Sequence, residues 1–147
     1  MKKRIALAVI TLVTGIAVSA QISPVFVNDG KAIRGYDPVA YFTEKKPVLG
    51  KEDLKFNWNN VNWYFSSPQN LDSFKINPVK YAPQYGGYCA FGLSDGHKAP
   101  TQPDAWTIVN GKLYLNYNTK VREYWKKDQQ ERIEKADINW PGIKDKE

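Results

Sequence analysis

Cys89 is the only cysteine in the chain and His97 the only histidine. Cys89 lies inside the run Tyr85-Gly86-Gly87-Tyr88-Cys89-Ala90-Phe91-Gly92, and His97 follows in Gly96-His97-Lys98. Two chemistries suit this pair. A thiolate is the nucleophilic and redox-active form of cysteine, and a nearby cation such as His97 or Lys98 favours it. A thiolate and an imidazole also suit a soft ion such as copper, with Asp95 and Asp104 available for a harder one. A third reading gives Cys89 no chemistry, because free cysteine is among the most buried residue types. Tyr85, Gly86, Gly87 and Tyr88 are the residues expected to shape its surroundings. The glycines permit sharp turns and close backbone approach, and the tyrosines can shield the thiol or line a pocket around it.

Several familiar chemistries are excluded. The Cys89–His97 spacing is not a zinc signature, and zinc normally takes four ligands. The only methionine is Met1, so a methionine-based copper site has no ligands in the rest of the chain. One cysteine rules out an intramolecular disulfide and a Cys-x-x-Cys oxidoreductase. Any redox cycle needs a thiol from another molecule. No Gly-x-Ser-x-Gly, phosphate loop or paired-histidine motif occurs. Cys89 is therefore the catalytic candidate, and Cys89 with His97 the metal candidate. Thiol chemistry is favoured, because the metal ligand set is thin. No cofactor is fixed by these residues beyond a soft ion such as copper. The corresponding partners are a thiol protein or a metal-delivery protein. A non-catalytic binding module with an aromatic-rich surface is the rival from a different class. Asp37 could be a ligand or base, but before Pro38 it reads first as a turn former.

The chain has 147 residues. Its start has the layout of a secretory signal: Lys2, Lys3 and Arg4, then a charge-free apolar run from Ile5 to Val18, then Val18-Ser19-Ala20. Cleavage is expected after Ala20, leaving no membrane-spanning segment and a periplasmic or secreted domain. No cysteine follows the cleavage point, so it is not a lipoprotein signal. The formal net charge is +6, and the three basic residues of the signal account for half of it. The remaining surplus is spread out with no basic block, which makes nucleic acid a poor partner.

The elements that must position Cys89 read as one α+β domain, with two β-hairpins packed against helices. Residues 21–31 read as a polar lead-in, 32–143 as the domain and 144–147 as a charged tail. Asn59-Asn60 predicts a hairpin pairing Trp58 with Val61 and Phe56 with Trp63. Phe56, Trp58, Val61, Trp63 and Phe65 then share one face. Ser67 and Pro68 start a helix as cap and first residue, with Leu71 and Phe74 inward. Asn110-Gly111 predicts a second hairpin, with Trp106, Ile108, Leu113 and Leu115 on one face. Asn118 or Thr119 caps a helical segment running to about Asp137. Val121, Tyr124 and Trp125 line its first face, Ile133 and Ala136 its second, and a polar patch at Asp128-Gln129-Gln130 marks a break. Trp140-Pro141 is the expected end of the fold.

Several runs carry a family resemblance: G-Y-D-P-V-A-Y-F, W-Y-F-S-S, K-Y-A-P-Q-Y-G-G-Y-C-A, A-W-T-I-V and K-L-Y-L-N-Y. From Ala32 to about Ile143 the chain resembles the YHS domain, in its exported YHS domain-containing (seleno)protein subgroup. The resemblance implies a small scaffold associated with heavy-metal binding. It also implies that some members carry selenocysteine where Cys89 stands, which favours chemistry at that position. The metal-binding pattern has cysteines at the positions of Ala40, Ser66 and Asn70. None of these is a thiolate, so metal binding does not carry over through them.

Overall fold

Two tight turns set the sheet architecture. Asn59 and Asn60 adopt left-handed φ values of 53° and 61°, the geometry that a two-residue hairpin requires. They join β3 (Lys51–Trp58) to β4 (Val61–Phe65), with Trp58 opposite Val61 and Phe56 opposite Trp63. The predicted register is the observed one. Asn110 and Gly111 do the same for β5 (Trp106–Val109) and β6 (Lys112–Leu115). The computed structural model describes residues 23–146; the expected signal segment and its cleavage point lie outside them.

The four-stranded sheet adds two short strands, β1 (Val27–Asn28) and β2 (Lys31–Ala32), in the order β1-β2-β4-β3. Strand β2 pairs with β4 in parallel. The helices are α1 (Ala40–Thr43), α2 (Pro68–Ile76), α3 (Pro78–Tyr81), α4 (Ala90–Ser94), α5 (Thr119–Lys127) and α6 (Gln129–Ile143). Among the described residues, no helix is long and apolar enough to cross a membrane. The molecule is an α+β domain, as the sequence predicts.

The caps are those the sequence advertises. Ser67 Oγ accepts the Asn70 N–H at 3.1 Å, and Asn118 Oδ1 accepts the Val121 N–H at 2.8 Å. Each satisfies an orphan donor of a first helical turn. Asp128 separates α5 from α6.

The hairpin β5–β6 lies between two apolar clusters. Leu113 and Leu115 pack with Val61, Trp63, Phe65 and Phe74. Tyr114 points the other way, to Ala90, Leu93, Trp125, Ile133 and Ala136. Period-two alternation thus sends one strand's side chains into both cores.

Two boundaries and one inward face differ from expectation. Val25 and Phe26 are buried, and Phe26 exchanges backbone bonds with Gly86 and Ile33. The packed fold therefore begins before Ala32, because these residues cover the Tyr85–Gly87 turn. Helix α6 runs through Pro141 to Ile143 instead of stopping near Asp137. Proline removes one N–H from the ladder. Trp140, packed on Tyr85 and Tyr88, and Lys98 Nζ, bonded to the Lys144 and Lys146 carbonyls at 2.6 and 2.7 Å, hold that last turn. On α5, Trp125 is buried while Tyr124 stays 46% exposed, so the inward stripe is narrower than predicted.

Asp37 ties the first half together. Its Oδ1 accepts the N–H groups of Val39 (2.8 Å) and Ala40 (3.2 Å). Its Oδ2 accepts the Ser66 N–H (2.8 Å), the Ser66 hydroxyl (2.7 Å) and the Asn70 amide (2.8 Å). The carboxylate is wholly buried, and hydrogen bonds to a charged group are stronger than neutral ones. Removing it strands several buried donors. Asp37→Ala should cost at least about 3 kcal/mol in urea unfolding. Asn62→Ala, on the solvent side of β4, should stay within about 0.5 kcal/mol of wild type. Equal losses for the two would contradict this role.

Candidate functional site

Cys89 stands at the foot of α4, at the N-cap position. Its backbone N–H bonds the Ala99 carbonyl at 3.0 Å, and its carbonyl receives the Leu93 N–H at 2.9 Å. These bonds fix the side chain inward, where the residue is 2% exposed. The Tyr117 N–H donates to Sγ at 3.2 Å, and the thiol in turn faces Asn116 Oδ1 at 3.5 Å.

Two effects oppose each other at the sulfur. Burial pushes the thiol pKa up, and this dominates, since a desolvated thiolate is costly. The backbone N–H groups of Gly92, Tyr117 and Phe91 pull it down, and the Asp95 carboxylate adds a small push upward. At neutral pH the group is a thiol, resting in a cradle of N–H donors that would receive negative charge.

Asn116 is the neighbour that sequence reasoning missed. It follows β6, is wholly buried, and links three segments. Its N–H bonds the Ala105 carbonyl, its carbonyl takes the Gln102 N–H, and its Oδ1 takes the Phe91 N–H at 3.1 Å. Its Nδ2 has no hydrogen-bond partner among the described residues. On an ordinary one-faced hairpin, a residue out of phase with Leu113 and Leu115 faces water. Here α4, α5 and α6 cover that side, and no local signal announces it.

The other expected site residues go elsewhere. His97 is exposed, and its N–H bonds the Gly92 carbonyl at 3.0 Å. Lys98 reaches the end of α6 and the Tyr88 ring, not the thiol. Asp95 pairs with Arg132 at 3.3 Å, and Asp104 is exposed. No group of three His, Cys, Asp or Glu side chains that could hold a metal occurs among the described residues. Ala40, Ser66 and Asn70 do converge, but on Asp37, whose oxygens they fill with donors.

The glycines serve packing against Pro24 and Ile33. A Cβ on Gly86 would lie 1.8 Å from the Pro24 carbonyl oxygen, and one on Gly87 2.5 Å from Ile33 Cγ2. Tyr85 donates to Asp137 at 2.8 Å, and Tyr88 to the Ser23 carbonyl at 2.9 Å. The run Tyr85–Tyr88 thus holds the N-terminal strand and α6, and through them the backbone on which Cys89 sits.

A second feature is a groove of about 1210 Å³ between the β3–β4 turn, the N-terminal strand and the end of α6. Trp58, Asn59, Val79, Gln84, Trp140 and Lys144 are among its lining residues.

The raised thiol pKa has a definite sign in stability. Between the ordinary thiol value of about 8.5 and the higher folded value, the unfolded chain releases a proton that the folded chain keeps. Stability therefore falls as pH rises through that window. Urea unfolding from pH 7 to 10 should show this slope in wild type and a shallower one in Cys89→Ser. Identical slopes would contradict the assignment. Comparison with family models, curated proteins and solved structures found no match to this chain.

Proposed function

We propose that the protein is an exported domain whose working group is the Cys89 thiol, used in redox or thiol chemistry in the periplasm or outside the cell. One observation carries this reading: at the foot of α4, Sγ accepts the Tyr117 N–H at 3.2 Å while its own proton faces Asn116 Oδ1. A backbone donor at a sulfur favours the thiolate that thiol chemistry passes through. Burial keeps the resting group protonated and shuts out large reagents. The resemblance to exported YHS domain-containing (seleno)proteins supports the same residue. So does the signal-like start of the chain, which supports an oxidising destination.

The metal alternative needs Cys89 and His97 on one ion, and the pairing of a buried sulfur with an exposed imidazole counts against it. The binding-module alternative has a specific observation in its favour, the groove beside Trp58 and Trp140. On that reading Cys89 is packing alone.

Treating the folded protein with a small methanethiosulfonate and with a bulky thiol reagent separates these readings. The expected result is one adduct per chain from the small reagent, absent in Cys89→Ser, with no adduct from the bulky one. Modification only after denaturation would overturn the thiol reading and leave the groove as the functional surface. Copper(I) binding at one ion per chain, lost in both Cys89→Ser and His97→Ala, would replace it with the metal reading.

A further inference from the structure

The side chain of Asn116 has two ends with different fates. Its Oδ1 is committed to the Phe91 N–H at 3.1 Å and faces the Cys89 thiol at 3.5 Å. The Phe91 donor fixes the amide orientation, because only the oxygen can accept it. Its Nδ2 therefore carries two N–H groups with no acceptor among the described residues. A buried donor without an acceptor costs about 1–3 kcal/mol. This one is bonded to the same carbon as the oxygen on which the only thiol rests.

We propose that Cys89 reacts with small hydroperoxides, and that Asn116 Nδ2 holds the oxygen this places on the sulfur. The proposal deepens the thiol reading above and rests on it. Sγ donates an electron pair to one peroxide oxygen, so an S–O bond forms as the O–O bond breaks. The leaving hydroxide takes the thiol proton and departs as water, or as an alcohol from an alkyl hydroperoxide. The sulfur loses two electrons and the peroxide gains them, giving a sulfenic acid. Its oxygen is an acceptor beside a donor that has none.

Size and composition select this oxidant class. At 2% exposure, a protein disulfide cannot bring its sulfur into line with Sγ, whereas hydrogen peroxide brings only two oxygens. The chain has no second cysteine, so the sulfenic acid cannot be converted to an intramolecular disulfide and persists until an external thiol reduces it. The Tyr117 N–H lies 3.2 Å from the sulfur that is attacked.

The test is hydrogen peroxide on the folded protein, read by intact mass and by dimedone added as the oxidised protein is unfolded in urea, because dimedone is too large to reach the buried sulfur. Wild type should gain one oxygen and one dimedone adduct. A thiol reductant added after the peroxide and with the urea, ahead of dimedone, should prevent the adduct, and Cys89→Ser should form none. Asn116→Asp keeps an acceptor for the Phe91 N–H and deletes the donor. It should accumulate about tenfold less sulfenic acid, the effect of one hydrogen bond. In unmutated protein, the Asn116 side-chain amide resonances should shift on oxidation, a readout independent of whether that variant folds. Three results would overturn the proposal. Reaction with a small methanethiosulfonate but not with peroxide would sink it while leaving the thiol reading intact. No reaction with either until denaturation would sink both. Sulfenic acid formed with no shift at Asn116, or unchanged in Asn116→Asp, would remove the amide from the chemistry.

Discussion

From Leu113 onward strand β6 has water on neither face, and the site depends on that constraint. Leu113, Tyr114, Leu115 and Asn116 are all buried. The leucines belong to one core and the tyrosine to the other. A polar side chain at the end of such a strand must find partners inside the protein. Asn116 finds them at the foot of α4, where it takes the Phe91 N–H and sits against the thiol. The same residue's backbone ties down the 102–105 loop. The position of Cys89 is thus set by a strand that the two cores hold from both sides.

A second buried polar group organises the opposite half. The Asp37 carboxylate gathers the turn before α1, the end of β4 and the start of α2. Among the described residues its hydrogen bonds are all with uncharged backbone and side-chain donors. Ala40, Ser66 and Asn70 lie around this carboxylate as donors. Asp37 and Asn116 illustrate one rule: a buried polar atom that is satisfied fixes a segment; among the described residues Asn116 Nδ2 and Trp125 Nε1 are not satisfied, and Nδ2, on the amide that faces the thiol, marks where an acceptor could be placed.

Much of the scaffold was legible because its signals are local. Asn59-Asn60 and Asn110-Gly111 announce turns through the φ angles they tolerate, and alternation then fixes the inward faces. Ser67 and Asn118 announce helix starts through side-chain oxygens. The missed features depend on contacts distant in sequence. Val25 and Phe26 look like a lead-in until the Gly86 backbone comes within bonding distance. Pro141 looks like a stop until Trp140 and Lys98 hold the turn around it. Gly86 and Gly87 look like companions of Cys89, yet their lack of side chains is required by Pro24 and Ile33. Cys89 itself was legible as a singular residue. Its burial, and the amide beside it, were not.

The central claim is that Cys89 reacts while the protein is folded. The most direct test is the rate of its modification by a small thiol reagent as urea rises below the unfolding transition. Reaction in the native state predicts a rate nearly independent of urea in that range. Reaction only through global unfolding predicts a logarithmic rate rising linearly with urea, with the slope of the equilibrium unfolding curve. The first result would establish a working thiol in the folded domain; the second would contradict the account and make Cys89 a packing residue.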